Sequence, residues 1–464
     1  MTLAIIGGVL WILGIVALLT GVLPTDEAVI VADRVWPILL FVVAVTVVAE
    51  LASKAGLFDI VAARLARMAR GRTALLWVLV VALATVATAF LSLDTTAVLL
   101  TPVVVAMAVA RRLDPLPFAF VTVVLANTAS LVLPVSNLTN LLASDALGGH
   151  DPLRFLALLG PSALIAILVS VIVLTAVFLR RLPKTYPDAT PPAVADPVLL
   201  RVSAVVTVAL LPLLVIGLEP WMPALAAAVV LAAVFAWRAP RALGIRLVPW
   251  SLLVFAGGLF LAVGALEAIG IGRFTAALAG TGDDLVSLWQ LAGAGAVAAN
   301  GINNLPAYLA LESTAGSPAR LAALLIGVNA GPIITPWASL ATLLWHDRLV
   351  AAGIELRWSK FVVLGLVIAP LILLLGVIPL VSDASLVVRA RPGLPGLDDP
   401  GDEALADAVR LARVQVRDAV DVHHGIRALD TFHGFAADEG HGEGIVGLGH
   451  RQRHAGIAAE IAVF

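Results

Sequence analysis

Two stretches of this 464-residue chain lie on each other without a gap. They are NTASLVLPVSNLTNLLASD from Asn127 to Asp145 and NAGPIITPWASLATLLWHD from Asn329 to Asp347. Asn127 falls on Asn329, Pro134 on Pro336, Leu138 on Leu340, Asn140 on Thr342 and Asp145 on Asp347. Each copy puts a proline and a cluster of hydroxyl and amide side chains in the middle of an apolar run. In hydrocarbon a break of this kind leaves N–H and C=O groups unpaired, at several kcal/mol each, unless the backbone lines a cavity. Two broken helices at matching places in two halves are the sequence mark of a secondary transporter's substrate site. The plainer reading is a pair of proline-kinked structural helices, since Pro and Gly are common in transmembrane helices.

The setting is a membrane. The chain is 61% hydrophobic and 13% charged, and apolar spans fall at about 3–20, 35–52, 155–179, 199–217, 221–237, 249–267 and 361–381. The stretches 74–110 and 285–316 read as hairpins of two apolar arms around a polar tip, and 116–144 and 319–345 as the broken helices. Arms of about 16 residues reach roughly 24 Å against a hydrocarbon core of about 30 Å, which favours re-entrant hairpins. The first span has no basic leader before it and reads as retained. With no cysteine in the chain, disulfides and thiolate metal sites are excluded.

Charge sets the orientation. Lys54, Arg64, Arg67, Arg72, Arg111, Arg181, Arg246 and Arg348 collect on one side, whereas Arg34, Arg154, Arg273 and Arg320 fall on the other. The arginine-rich side is cytoplasmic by the positive-inside rule, and so is the N-terminus. The order of span, loop, hairpin, broken helix and span then occurs twice with opposite orientation, an inverted repeat. The expected organisation is an N-terminal span over 1–34, a first inverted repeat over 35–180, a cytoplasmic proline-rich linker over 181–198 and connecting spans over 199–248. A second inverted repeat follows over 249–381, then a flexible hydrophilic tail over 382–464. Leu57 to Arg70 reads as an interfacial amphipathic helix. Six of the eight histidines lie in the tail, in no metal-ligand spacing.

The candidate chemistry gathers at the hairpin tips and the breaks. Asp94, followed by Thr95, is the acid set deepest in the membrane; a carboxylate there exchanges a proton or neutralises a cation, or else it only caps the helix that begins at Thr95. The second tip offers Asn303 and Asn304. The breaks supply Asn127, Ser136, Asn137, Thr139 and Asn140 from one half and Asn329, Thr335 and Ser339 from the other. Amides and hydroxyls around one carboxylate suit a small neutral hydroxide better than a dicarboxylate, which calls for Arg or Lys. Glu50 and Glu267 lie near span ends and read as interfacial, and Asp145 marks the external mouth.

At these residues the chain resembles the arsenite/antimonite efflux permeases of the ion transporter superfamily. The resemblance rests on SLDTTAVLLTPVVVAMA from Ser92, ANTASLVLPVSNLTNLLASD from Ala126, INNLPAYL from Ile302, GVNAGPIITPWASLATLLW from Gly327 and LEPWMP from Leu218, and covers roughly 3–381. It implies an all-α, elevator-type inverted-repeat homodimer in the bacterial inner membrane. Such a protein exports arsenite or antimonite in exchange for protons, sometimes with a soluble ATPase subunit. It also implies proton coupling at Asp94, and substrate contacts at Asn303, Asn304 and both breaks. Ile333 and Ile334 stand where this family often has a polar residue before its second Thr-Pro, and the tail has no counterpart. A sodium/proton antiporter or an anion transporter on the same scaffold remains the alternative. No enzymatic activity, cofactor, metal or nucleic-acid partner is expected.

Overall fold

The computed structural model describes residues 2–147, 149, 151–190, 192–270 and 279–381. The whole of the 382–464 tail, with its histidines, lies outside the described residues, as do His150 and Arg273.

Helix starts follow local chemistry. Asp114, Asp151 and Asp196 each stand before a proline and accept the first free N–H groups of the helix that the proline opens; Ser317 does the same before Pro318, and Asp284 before Leu285. The helices are α1 (Thr2–Leu19), α2 (Thr25–Lys54), α3 (Leu57–Met68), α4 (Thr73–Leu91), α5 (Leu93–Ala110), α6 (Pro115–Thr128), α7 (Leu138–Ala146) and α8 (Pro152–Phe178). They continue as α9 (Pro197–Leu213), α10 (Trp221–Arg238), α11 (Trp250–Ala268), α12 (Leu285–Ile302), α13 (Asn304–Glu312), α14 (Pro318–Ala330), α15 (Leu340–Ala351) and α16 (Trp358–Gly376). Nine helical segments among the described residues are long and apolar enough to cross a membrane. The one strand-like pairing among them joins Arg72 to Thr185.

Both broken helices form as expected. α6 gives way to two short 3-10 turns, Ala129–Val132 and Pro134–Ser136, before α7; α14 ends in Gly331–Ile333 and an irregular stretch before α15. They are also the most enclosed elements. Every residue from Pro117 to Thr128 and from Arg320 to Ala330 is buried. α6 lies against both arms of the first hairpin and against α8, while α14 lies against α12, α13 and α16. Phe120 of α6, Trp345 of α15 and Phe361 of α16 form an aromatic junction, with Phe120 and Trp345 5.8 Å apart. Close helix approaches rest on glycine: a Cβ on Gly258 of α11 would strike the main chain of α1 at Gly7, and one on Gly365 of α16 would strike the carbonyl of Ile333.

Three features depart from expectation. α2 starts at Thr25, ten residues before the apolar run at 35, because Pro24 and the acidic first turn of Asp26 and Glu27 open the helix. The hairpins have no tip loops: a single residue at positive φ joins each pair of arms, Ser92 at 95° and Asn303 at 86°. The arms are also unequal. The first hairpin has 19 and 18 residues, while the second has 18 and only 9. Apart from these departures, the start of the linker is held in place by Tyr186, which donates its hydroxyl to the carbonyl of Ala66 on α3 at 2.7 Å. On α3 itself Arg64, Arg67 and Met68 are exposed on one face and Ala62, Ala63 and Ala66 buried on the other, the expected amphipathic arrangement.

Candidate functional site

The two tips and the two breaks meet. One cavity of about 60 Å³ is lined by Ser92, Leu93 and Asp94 from the first tip and by Asn303, Asn304 and Leu305 from the second. Val135, Asn137 and Leu138 from the first break and Ser339 to Ala341 from the second complete it, closed over by Phe41, Val42, Val45 and Thr46 of α2. Asp94 is its one titratable lining residue, and no Lys or Arg reaches it. The volume holds about two water molecules, the scale of a small hydroxylated solute.

Asp94 does not cap the helix; Ser92 does, its hydroxyl accepting from the Thr95 N–H at 3.3 Å. The Asp94 carboxylate makes no hydrogen bond among the described residues and so is free to take a proton or a ligand. Thr95 turns its hydroxyl back to the Leu91 carbonyl at 2.7 Å. Immediately after it, Thr96–Leu100 is a π-helical turn, a widening of the ladder often found at functional sites. Asp94 and Thr95 also line a second cavity of about 330 Å³ with Thr46, Glu50, Arg246, Ser251 and Arg348. Glu50, near the end of α2, also belongs to this wall. Asp94 is shared by both cavities.

The remaining predicted residues stand behind the cavity. Asn329 is a hub whose Nδ2 donates to Asn140 Oδ1 and the Leu325 carbonyl, each at 2.9 Å, while its Oδ1 accepts from Ser130 at 3.2 Å and from Asn137. Asn140 Nδ2 then ties the broken segment together through the Ser130 carbonyl at 2.6 Å and the Leu133 carbonyl at 3.3 Å, and Ser136 donates to the same two carbonyls. Thr139, fully buried, leans toward Asn140 at 3.5 Å. The other half is stitched differently. Thr335 donates its N–H and hydroxyl to Asn300 Oδ1 at 3.0 and 2.8 Å, Asn303 donates to the Trp337 carbonyl at 3.0 Å, and Asn304 N–H to that of Ala338 at 2.9 Å. Asn127, the counterpart of Asn329, only bonds back to the Val123 carbonyl; its Oδ1, with the hydroxyls of Ser339 and Thr342, is buried without a partner.

A charged cluster went unforeseen. Arg34 donates to Asp145 at 3.0 Å, to Glu312 through both terminal nitrogens and to the Leu142 carbonyl at 3.1 Å; Tyr308 donates to Glu312 at 2.9 Å. It binds α2 to α7 and α13, one element from each half. Reading α2 from residue 35 put Arg34 in a loop; the Pro24-Asp26-Glu27 start signal places it more than two turns inside the helix. Arg34 and Glu50 are 16 residues apart on α2, about 24 Å. The cluster thus lies toward the opposite end of α2 from the second cavity.

Comparison with known proteins agrees with this architecture. Residues 2–322 match the family model described as a citrate transporter. The arsenical pump membrane protein of Escherichia coli is 31% identical over 384 residues, covering 76% of this chain and 88% of that protein. That of Yersinia enterocolitica is 31% identical over 381 residues, 76% and 87% of the two chains. In fold, the chain is similar to the Alcanivorax borkumensis YdaH transporter, a structure of unusual topology, with a TM-score of 0.52 at 14% identity over 77% of this chain and 87% of that one. This multi-pass chain belongs to the arsenical pump membrane protein family, within the wider family of the citrate-transporter model.

Proposed function

We propose that this protein exports arsenite or antimonite across the bacterial inner membrane in exchange for protons. The observation that carries the proposal is the tip cavity, in which amides and hydroxyls from both halves surround one carboxylate and no cation. A trivalent arsenic or antimony hydroxide is uncharged near neutral pH. Its hydroxyls donate to a carboxylate and to amide oxygens, and its oxygens accept from amide N–H and hydroxyl groups. Citrate would bring negative charges that nothing in this lining neutralises. Asp94 then has two exclusive partners, a cargo hydroxyl or a proton, so proton arrival releases cargo and proton departure readies the site.

The architecture gives this exchange a route. We assign 35–180 and 249–381 to two inverted repeats, joined by the 181–198 linker and the 199–248 spans, with the N-terminus cytoplasmic. The like conformations of Ser92 and Asn303 at the two tips and the paired breaks favour that assignment. The hairpins and broken helices would move as one body against α1, α2 and α9–α11 in a homodimer, with Arg34 closing the external end and the Glu50 cavity open to the cytoplasm. A soluble ATPase subunit would add to this exchange rather than replace it. Arsenite uptake into everted vesicles under an imposed pH gradient tests the reading. Accumulation that collapses with the gradient, and is lost in a normally inserted Asp94→Asn variant, is expected. Sodium-dependent proton flux without arsenite movement would assign the protein to antiport on the same scaffold.

A further inference from the structure

We infer that Asn127, Ser339 and Thr342 form a binding site for a sodium ion beside the tip cavity. The inference rests on the inverted-repeat reading above and adds a ligand to it. Under the gapless correspondence Asn127 takes the place of Asn329, Ser339 that of Asn137, and Thr342 that of Asn140. The packing is matched too: α14 lies on α7 and on the 129–132 turn, and α6 lies on α15 and on the 331–333 turn. Trp345 of α15 donates to the Ala119 carbonyl of α6 at 3.0 Å, which fixes the two helices side by side. The hydrogen bonding is not matched. In one half three amides close on each other; in the other, shorter hydroxyls replace two of them, and Asn127 Oδ1, Ser339 Oγ and Thr342 Oγ1 are left without partners.

All three are at most 1% exposed, and an unpartnered polar atom at that depth costs about 1–3 kcal/mol. The three orphan atoms are also all oxygens, since the Asn127 nitrogen is already bonded to Val123. Three neutral oxygens are the donor set of a hard cation, which would complete its shell with main-chain carbonyls or water, and a single positive charge suits them better than a double one. The counter-charge is at hand, because Ser339 and Asp94 line the same small cavity. Occupied, the site would fix the irregular second break in place behind the cargo.

Thermal unfolding of the purified, full-length protein in detergent tests this, with sodium, potassium or choline chloride at constant ionic strength. Sodium is expected to raise Tm by several degrees and to saturate, with no matching effect of potassium or choline. Thr342→Val, which removes one oxygen, should abolish the sodium response. Ser339→Asn should abolish it too and raise Tm in sodium-free buffer, since the new amide supplies Asn127 Oδ1 with the donor that Asn137 gives Asn329 Oδ1. A sodium response retained by both variants, or equal stabilisation by all three salts, overturns the site. Arsenite uptake into sodium-free everted vesicles is scored separately. Uptake without a sodium-specific Tm shift leaves the exporter standing and removes the site; a sodium shift without uptake does the reverse.

Discussion

At the scale of single residues, the two members of a matched pair carry unequal weight. Asn329 holds three side chains of the other half, whereas Asn127 makes one bond within its own helix. Asn329→Ala should therefore cost about 3 kcal/mol, as several buried groups lose partners at about 1–3 kcal/mol each, and Asn127→Ala less than about 1 kcal/mol. Denaturant unfolding in detergent compares the two, and equal losses would contradict the hub. The residue types of the site were legible because amides in an apolar run have few reasons to be there. Which of them face the cavity was not: Asn137, Asn303, Asn304 and Ser339 line it, whereas Asn140, Asn329 and Thr139 support it from behind. Sequence spacing cannot separate the two roles, because chain reversals at the breaks decide which way each amide points.

At the scale of elements, helix starts were readable wherever Asp or Ser precedes Pro, and the one misplaced start, α2, hid Arg34. The positive-φ tips were not readable, since Ser92 and Asn303 are not residue types that demand that conformation. Packing at Gly365 was equally hidden. Gly365→Ala pushes a methyl group into the Ile333 carbonyl and should destabilise by about 1–3 kcal/mol or slow the movement of the break against α16. Gly293→Ala, in α12 with nothing within 4 Å of the added carbon, should instead stabilise by up to about 1 kcal/mol. Unfolding midpoints of the two variants moving in the same direction would refute the packing argument.

At the scale of the whole molecule, Arg34 ties α2 to an element of each half, so under the proposed movement its bonds must break in every cycle. Such a part-exposed cluster favours one end state without freezing it. Because the chain has no cysteine, a lone Val42→Cys in the tip cavity reports which end is open. An impermeant maleimide should label it in everted vesicles more readily than in intact cells, and Arg34→Gln should raise labelling in cells several-fold. Unchanged labelling would remove Arg34 as a gate. The duplicated breaks were legible in the sequence; the Arg34 cluster was not, because its members are 111 and 278 residues apart in the chain. A last consequence follows from Asp94 standing in the walls of both cavities. Under the proposed exchange, a carboxylate common to two cavities would work as a turnstile, in which whatever passes must displace whatever stands there. Bound cargo would then itself hold back the leakage of protons through an unproductive cycle.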